Sequence, residues 1–140
     1  MRHIVNGLLV SEGKVLLARR SKERAAYPDL WSFPGGHLEA QETLSAALIR
    51  ELSEEIGIIP GESRLVAEFE DPNGGSNPAT YYLYVISRWE GTPTIRDQEH
   101  SKLQWFGFSD AAQLPDLALS AYRAVFLALL QSESRGIGNP

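Results

Sequence analysis

The stretch GHLEAQETLSAALIRELSEEIGI, Gly36 to Ile58, constrains this chain more than any other. Leu44, Leu48, Leu52 and Ile56 recur every fourth residue, the apolar stripe of an amphipathic helix. Thr43 is a suitable N-cap and Gly57 a suitable C-terminal stop, which predicts a helix over 44–56. Glu51, Glu54 and Glu55 fall within about one turn of that helix, with Glu39 and Glu42 just upstream. Like charges three or four residues apart cost a helix roughly 0.2–0.5 kcal/mol per pair. At about 100° per residue from Leu44, Glu55 falls near 20°, inside the apolar stripe, with Glu51 near 340° and Glu54 near 280°. A carboxylate turned toward a core must be neutralised, paired or bound to metal. On the helix alone two accounts compete. Solvation, or pairing with Arg50 or Arg64, is one; a metal is the other. Oxygen donors favour Mg²⁺, Mn²⁺ or Ca²⁺ over zinc, and an EF-hand fits poorly because its ligands alternate along a loop.

The rest of the chain supplies something for that stripe to pack on. Ile4–Val10 and Lys14–Ala18 are rich in Val, Leu and Ile, and Ser11-Glu12-Gly13 between them reads as the turn of a β-hairpin. Ser21–Asp29 reads as a polar loop, and Leu30–Phe33 as a short extended piece stopped by Pro34-Gly35-Gly36. Arg64–Glu70 and Thr80–Trp89 read as strands joined by the turn-rich loop Asp71–Pro78. Leu103–Phe108 fits a further strand. Asp116 or Ser120 is placed to cap a final helix through about Leu130, and Ser132 onward reads as a frayed tail. Strands interleave with two helices and the first pair is antiparallel. The expected architecture is one α/β domain, a mixed sheet flanked by helices, over residues 1–131, followed by a flexible tail, 132–140.

Composition removes several function classes. The chain has 140 residues, no cysteine, 18 acids against 13 bases and a formal net charge of −5. Thiolate catalysis, disulfides and cysteine-based zinc sites are excluded. The acidic balance disfavours stable nucleic-acid binding but permits a small anionic substrate, because a metal inverts the local field. The N-terminus reads as a strand rather than a signal peptide, and the apolar segment Leu117–Leu130 is too short to cross a membrane. A cytoplasmic protein without membrane attachment is expected. The histidines, His3, His37 and His100, show no zinc spacing and read as structural or surface residues. No Gly-x-Ser-x-Gly is present, and Gly74-Gly75 lacks the Lys-Ser/Thr of a phosphate loop.

Gly36, five residues, Glu42, seven residues, then Arg50-Glu51-Leu52-Ser53-Glu54-Glu55-Ile56-Gly57-Ile58 resembles the signature of the Nudix hydrolases, G-x5-E-x7-R-E-U-x-E-E-x-G-U, with U a bulky aliphatic residue. Every specified position matches across 23 residues. The flanking LWSFPGG, Leu30–Gly36, and Trp105-Phe106 after Glu99 also look like this family, and the resemblance covers Ile4 to Leu130. It implies an α/β/α sandwich around a mixed sheet. It also implies hydrolysis of a nucleoside diphosphate linked to another moiety, with Mg²⁺ or Mn²⁺.

By that resemblance Glu51, Glu54 and Glu55 are metal carboxylates, and Glu51 doubles as a candidate general base. The Gly35 carbonyl resembles a further metal ligand. Arg50 orients the acids and Glu42 supports that network or the helix N-terminus. Glu99 resembles a metal-binding or base-like acid, with Asp97 the alternative. Arg20, rather than Arg19, is the expected phosphate-binding residue, and Gly36 and Phe33 join it in the substrate-binding set. Trp31, Phe33, Tyr82, Tyr84 and Trp105 are candidates for base stacking, with the core as their alternative place. The short chain resembles the nucleoside-triphosphate branch, including enzymes that remove 8-oxo-dGTP. Hydrolysis of ADP-ribose or another dinucleotide is the runner-up. A non-catalytic nucleotide sensor is the competing class, disfavoured because Arg50, Glu51, Glu54 and Glu55 are all present. A monomer or homodimer is expected.

Overall fold

The computed structural model describes residues 2–73 and 75–138. Gly74 of the glycine pair and the last two positions of the expected tail lie outside the described residues.

The first hairpin forms as expected, from β1 (Arg2–Ser11) and β2 (Lys14–Arg20). Glu12 and Gly13 both take positive φ, 51° and 74°, the conformation of a tight two-residue hairpin turn. The two strands pair only beside this turn and then diverge. On its free side β1 runs parallel to β7 (Ala79–Ile86), with Arg2 opposite Ala79 through Leu9 opposite Ile86. β2 pairs with β9 (His100–Gly107), and β6 (Ser63–Glu70) flanks β7. One parallel pairing among antiparallel ones makes the sheet mixed.

Successive side chains of a strand face opposite ways, so β1 and β2 feed two cores. Val5, Leu9 and Leu16 meet Leu48, Leu52 and Ile56 of α1 (Leu44–Ile56). Leu8, Val15 and Leu17 meet Phe108, Tyr122 and Phe126 on the other face, where α2 (Phe108–Ala112) and α3 (Tyr122–Gly138) lie. The result is an α/β/α sandwich. α1 has the expected bounds: the Thr43 hydroxyl accepts from the Ala46 amide at 3.1 Å, and Gly57 ends the helix at φ 71°.

Several boundaries differ from the sequence reading. Pro34-Gly35-Gly36 does not simply stop the extended piece, now β3 (Trp31–Ser32). Gly35–His37 forms a further strand, β4, antiparallel to Ile4–Asn6 of β1. The strand expected to reach Trp89 ends at Ile86, and Trp89–Glu90 (β8) forms a separate two-stranded ribbon with β5 (Ile59–Pro60). β9 begins earlier than expected, and Phe108 opens the unexpected short helix α2.

Neither Asp116 nor Ser120 begins α3. The Asp116 carbonyl accepts from the Trp31 amide and the Trp31 carbonyl accepts from the Ala118 amide, which pairs Leu117 with Trp31 in an isolated parallel bridge. At its far end α3 continues to Gly138, past Ser132, where a frayed tail was expected. Among the described residues no helix is long and apolar enough to cross a membrane.

Candidate active site

β4 lies against the start of β1, and this places a backbone N–H over the carboxylate helix. Gly35 donates to Glu55 Oε2 at 2.8 Å. Glu55 is only 4% exposed, among the apolar residues of the α1 stripe. Burial pushes its carboxyl up to about 9 from an ordinary 4.5, against the Gly35 hydrogen bond, and the charges of Glu51, Asp97 and Glu99 add to the rise.

Arg50, next to Glu51 on the helix, engages the other acids. Nε and Nη2 grip both oxygens of Glu42 at 2.8 and 2.9 Å, and Nη1 donates to Glu51 Oε1 at 2.9 Å. Nη2 also reaches the His37 carbonyl at 3.1 Å, which ties β4 to α1. A planar guanidinium makes this two-sided contact and an ammonium cannot. Its hydrogen bonds, with help from the Glu39 amide, hold the Glu42 carboxyl down at about 2. Glu51 is raised by burial, partly offset by Arg50. Gly36 passes so close that a Cβ there would sit 2.6 Å from the Glu51 carboxyl carbon.

The other expected site residues divide. Glu54 is 61% exposed on its side chain and approaches Arg50 only at 3.6 Å, so it sits on the rim. Glu99 lines the cleft but is half exposed and pairs with Arg24 at 3.4 Å. Arg20 lines the cleft, its Nε held by the Ala26 carbonyl at 2.9 Å, and burial lowers its proton affinity. Arg19 is committed elsewhere, to Asp29 at 2.9 Å, to Asp116 at 2.8 Å and over the Trp31 ring. Phe33 is chiefly core, edge-on to Tyr122 and Phe126, with one side on the cleft. Of the aromatics proposed for stacking, Phe33 alone borders the cleft: Trp31 packs with Phe106, Trp105 stacks on Trp89, and Tyr82 and Tyr84 join the α1 core.

The cleft is about 630 Å³. The sequence reading missed Tyr27 and Tyr81, which line its wall together with Tyr122. The Tyr27 hydroxyl donates to Asp71 Oδ1 at 2.6 Å and accepts from Asn73 Nδ2 at 3.2 Å, so the loop after β6 is latched to the loop after β2 across the cleft. Tyr27 adopts φ 50°, a conformation that side-chain-bearing residues rarely hold without support. Also missed was His100, which is buried next to the partly buried Asp97, beside Glu55. The readable signal was the three-residue interval between Asp97 and His100 around Glu99.

A buried acid, a second half-buried acid fixed by an arginine, and a cleft large enough for a nucleotide make a site for an anionic substrate with a cation. The NUDIX domain profile matches residues 1–129. The chain belongs to the NUDIX family. Among its relatives is the CTP pyrophosphohydrolase of Escherichia coli, 31% identical over 115 residues and covering 82% of each chain. The 8-oxo-dGTP diphosphatase of Buchnera aphidicola is 31% identical over 108 residues, 77% of this chain and 78% of the relative. A MutT NUDIX hydrolase from Burkholderia pseudomallei superposes with a TM-score of 0.78 at 25% identity, over 89% of this chain and 95% of that one. This Nudix hydrolase is therefore similar in sequence to proteins named as a pyrophosphohydrolase and a diphosphatase.

Proposed function

We propose that the protein hydrolyses a nucleoside triphosphate to the monophosphate and pyrophosphate, with Mg²⁺ or Mn²⁺ held by the α1 acids. One observation carries the reading. Glu55 is buried beside Glu51 and Asp97, while the guanidinium of Arg50 is engaged by Glu42 and Glu51. A buried acid cluster left short of positive charge is a place for a divalent cation. The donor chemistry fits: Glu55 and Glu51 offer carboxylate oxygens at the cleft, the Gly35 carbonyl lies on the same strand end, and Glu54 and Glu99 reach from the rim. When bound, the cation neutralises pyrophosphate charge and lowers the proton affinity of a water.

The chain's own residues supply the rest. Arg50 fixes the Glu51 carboxylate, which takes the proton from the attacking water. Water adds to one phosphorus as the bridging P–O bond breaks, and the proton lost from water is balanced by protonation of the products in solvent. Arg20, with Arg2 and Arg24 on the same wall, receives the phosphate oxygens. Tyr27, Tyr81 and Tyr122 border the space left for the nucleoside, and Gly36 lets the substrate approach the backbone. The CTP and 8-oxo-dGTP relatives support a triphosphate as substrate.

The test is a hydrolysis panel with and without Mg²⁺, covering NTPs, dNTPs, 8-oxo-dGTP, ADP-ribose and diadenosine polyphosphates. Triphosphates cleaved to monophosphate plus pyrophosphate only with metal are the expected result. Preferred cleavage of ADP-ribose, or release of orthophosphate, would overturn it.

A further inference from the structure

The loop before β9 brings a nitrogen donor to the α1 acids. The Arg96 amide donates to the Glu55 carbonyl at 2.8 Å and the Thr94 amide to the Ile56 carbonyl at 3.0 Å, so the loop is pinned to the end of α1. Asp97 and His100 follow directly. Glu55, Asp97 and His100 each present one donor atom, and these atoms all lie within 4.8 Å of one another.

Three details point to a ligand rather than to packing. The Asp97 Oδ1 atom is shut off from solvent and has no hydrogen-bond partner among the described residues. An orphaned buried carboxylate oxygen costs roughly 1–3 kcal/mol or more unless something fills it. The His100 side chain is 3% exposed yet borders the cleft, and its only hydrogen bond among the described residues is from Nδ1 to Asp97, at 3.2 Å. Two donors on one ion at about 2.1 Å, at right angles, sit roughly 3.0 Å apart, so that spacing suits a shared cation as well as a hydrogen bond. Glu99, between them in sequence, is turned outward to Arg24.

We propose that His100 supplies a ring nitrogen, and Asp97 an oxygen, to the divalent cation held by Glu55, so that the site is a mixed nitrogen–oxygen one. This rests on the metal reading of α1. Imidazole favours transition ions, so the site ranks Mn²⁺ and Co²⁺ above Mg²⁺ by more than carboxylates alone would. His100 is then a ligand, whereas a merely structural His100 would leave the bound ion's spectrum untouched.

The experiment is pulsed EPR of Mn²⁺ on the full chain at neutral pH, with binding isotherms for Mn²⁺, Co²⁺ and Mg²⁺. The wild type is expected to show ¹⁴N imidazole modulation, which H100Q loses and H37Q keeps. H100Q should weaken Mn²⁺ and Co²⁺ about 10–100-fold and Mg²⁺ by much less. Selective histidine ¹⁵N labelling of the wild type should shift the modulation, a check independent of whether H100Q folds. Mn²⁺ bound with no nitrogen coupling in the wild type would overturn this proposal and leave the α1 metal reading standing. No Mn²⁺ binding at all would overturn both.

Discussion

Replacing Glu55 by Gln separates the stability of the metal-free protein from its chemistry. In the fold the Glu55 carboxyl keeps its proton to about pH 9, against 4.5 when unfolded. A carboxyl raised in this way contributes its full stability below the unfolded value and loses it as pH rises toward the folded one. Near pH 7.5 the unfolded chain has released this proton and the fold has not. Three pH units at about 1.36 kcal/mol each set a penalty of about 4 kcal/mol on the metal-free fold. Glutamine mimics the neutral acid, and its amide oxygen can accept the Gly35 N–H that now meets Oε2 at 2.8 Å. Glu55→Gln in a chelator is therefore expected to raise the unfolding free energy by roughly 2–4 kcal/mol near pH 7.5, and by almost nothing near pH 4.5. Urea denaturation across that range measures it. Added Mg²⁺ or Mn²⁺ should stabilise the wild type and leave the variant nearly unchanged, while metal-dependent turnover is lost. A difference that does not vary with pH, or a variant less stable than the wild type near pH 7.5 in chelator, would refute the buried-acid argument.

Arg50→Lys removes the fork that holds Glu42 and Glu51 and should lower turnover about 10–100-fold with an unchanged circular-dichroism spectrum. Gly36→Ala places a methyl on the Glu51 carboxylate, and a displacement of about 1 Å should cost about 100-fold in kcat. Tyr27→Phe cuts the latch to Asp71; steady-state kinetics should show KM raised several-fold with kcat nearly kept. Thr43→Ala should cost about 1 kcal/mol in chemical denaturation and leave KM unchanged, because its hydroxyl caps α1 away from the cleft.

The sequence by itself determined what is local. α1 was legible to the residue because its stripe, its Thr43 cap and its Gly57 stop all lie within one short segment. The same periodicity turned Glu55 inward, and the signature spacing set the acids and Arg50 on one helix. The β1–β2 turn was legible because Glu12-Gly13 sits between two apolar runs.

Only the tertiary structure decided what depends on residues far apart in the chain. Gly35 became the donor to Glu55 through β4 pairing with β1, a contact across 20 residues that no window around Pro34 reveals. Asp116 was drawn from a helix cap into pairing with Arg19 and Trp31, because those long-range bonds outweigh a marginal cap. His100 read as isolated, yet the loop before β9 is pinned to the end of α1 and carries it there. Tyr27, Tyr81 and Tyr122 meet only where three separate elements close the cleft. Propensity and capping act over a few residues, whereas strand pairing and burial are settled by the whole chain packing at once. That is why the helix carrying the acids was readable from its own residues and the walls around it were not.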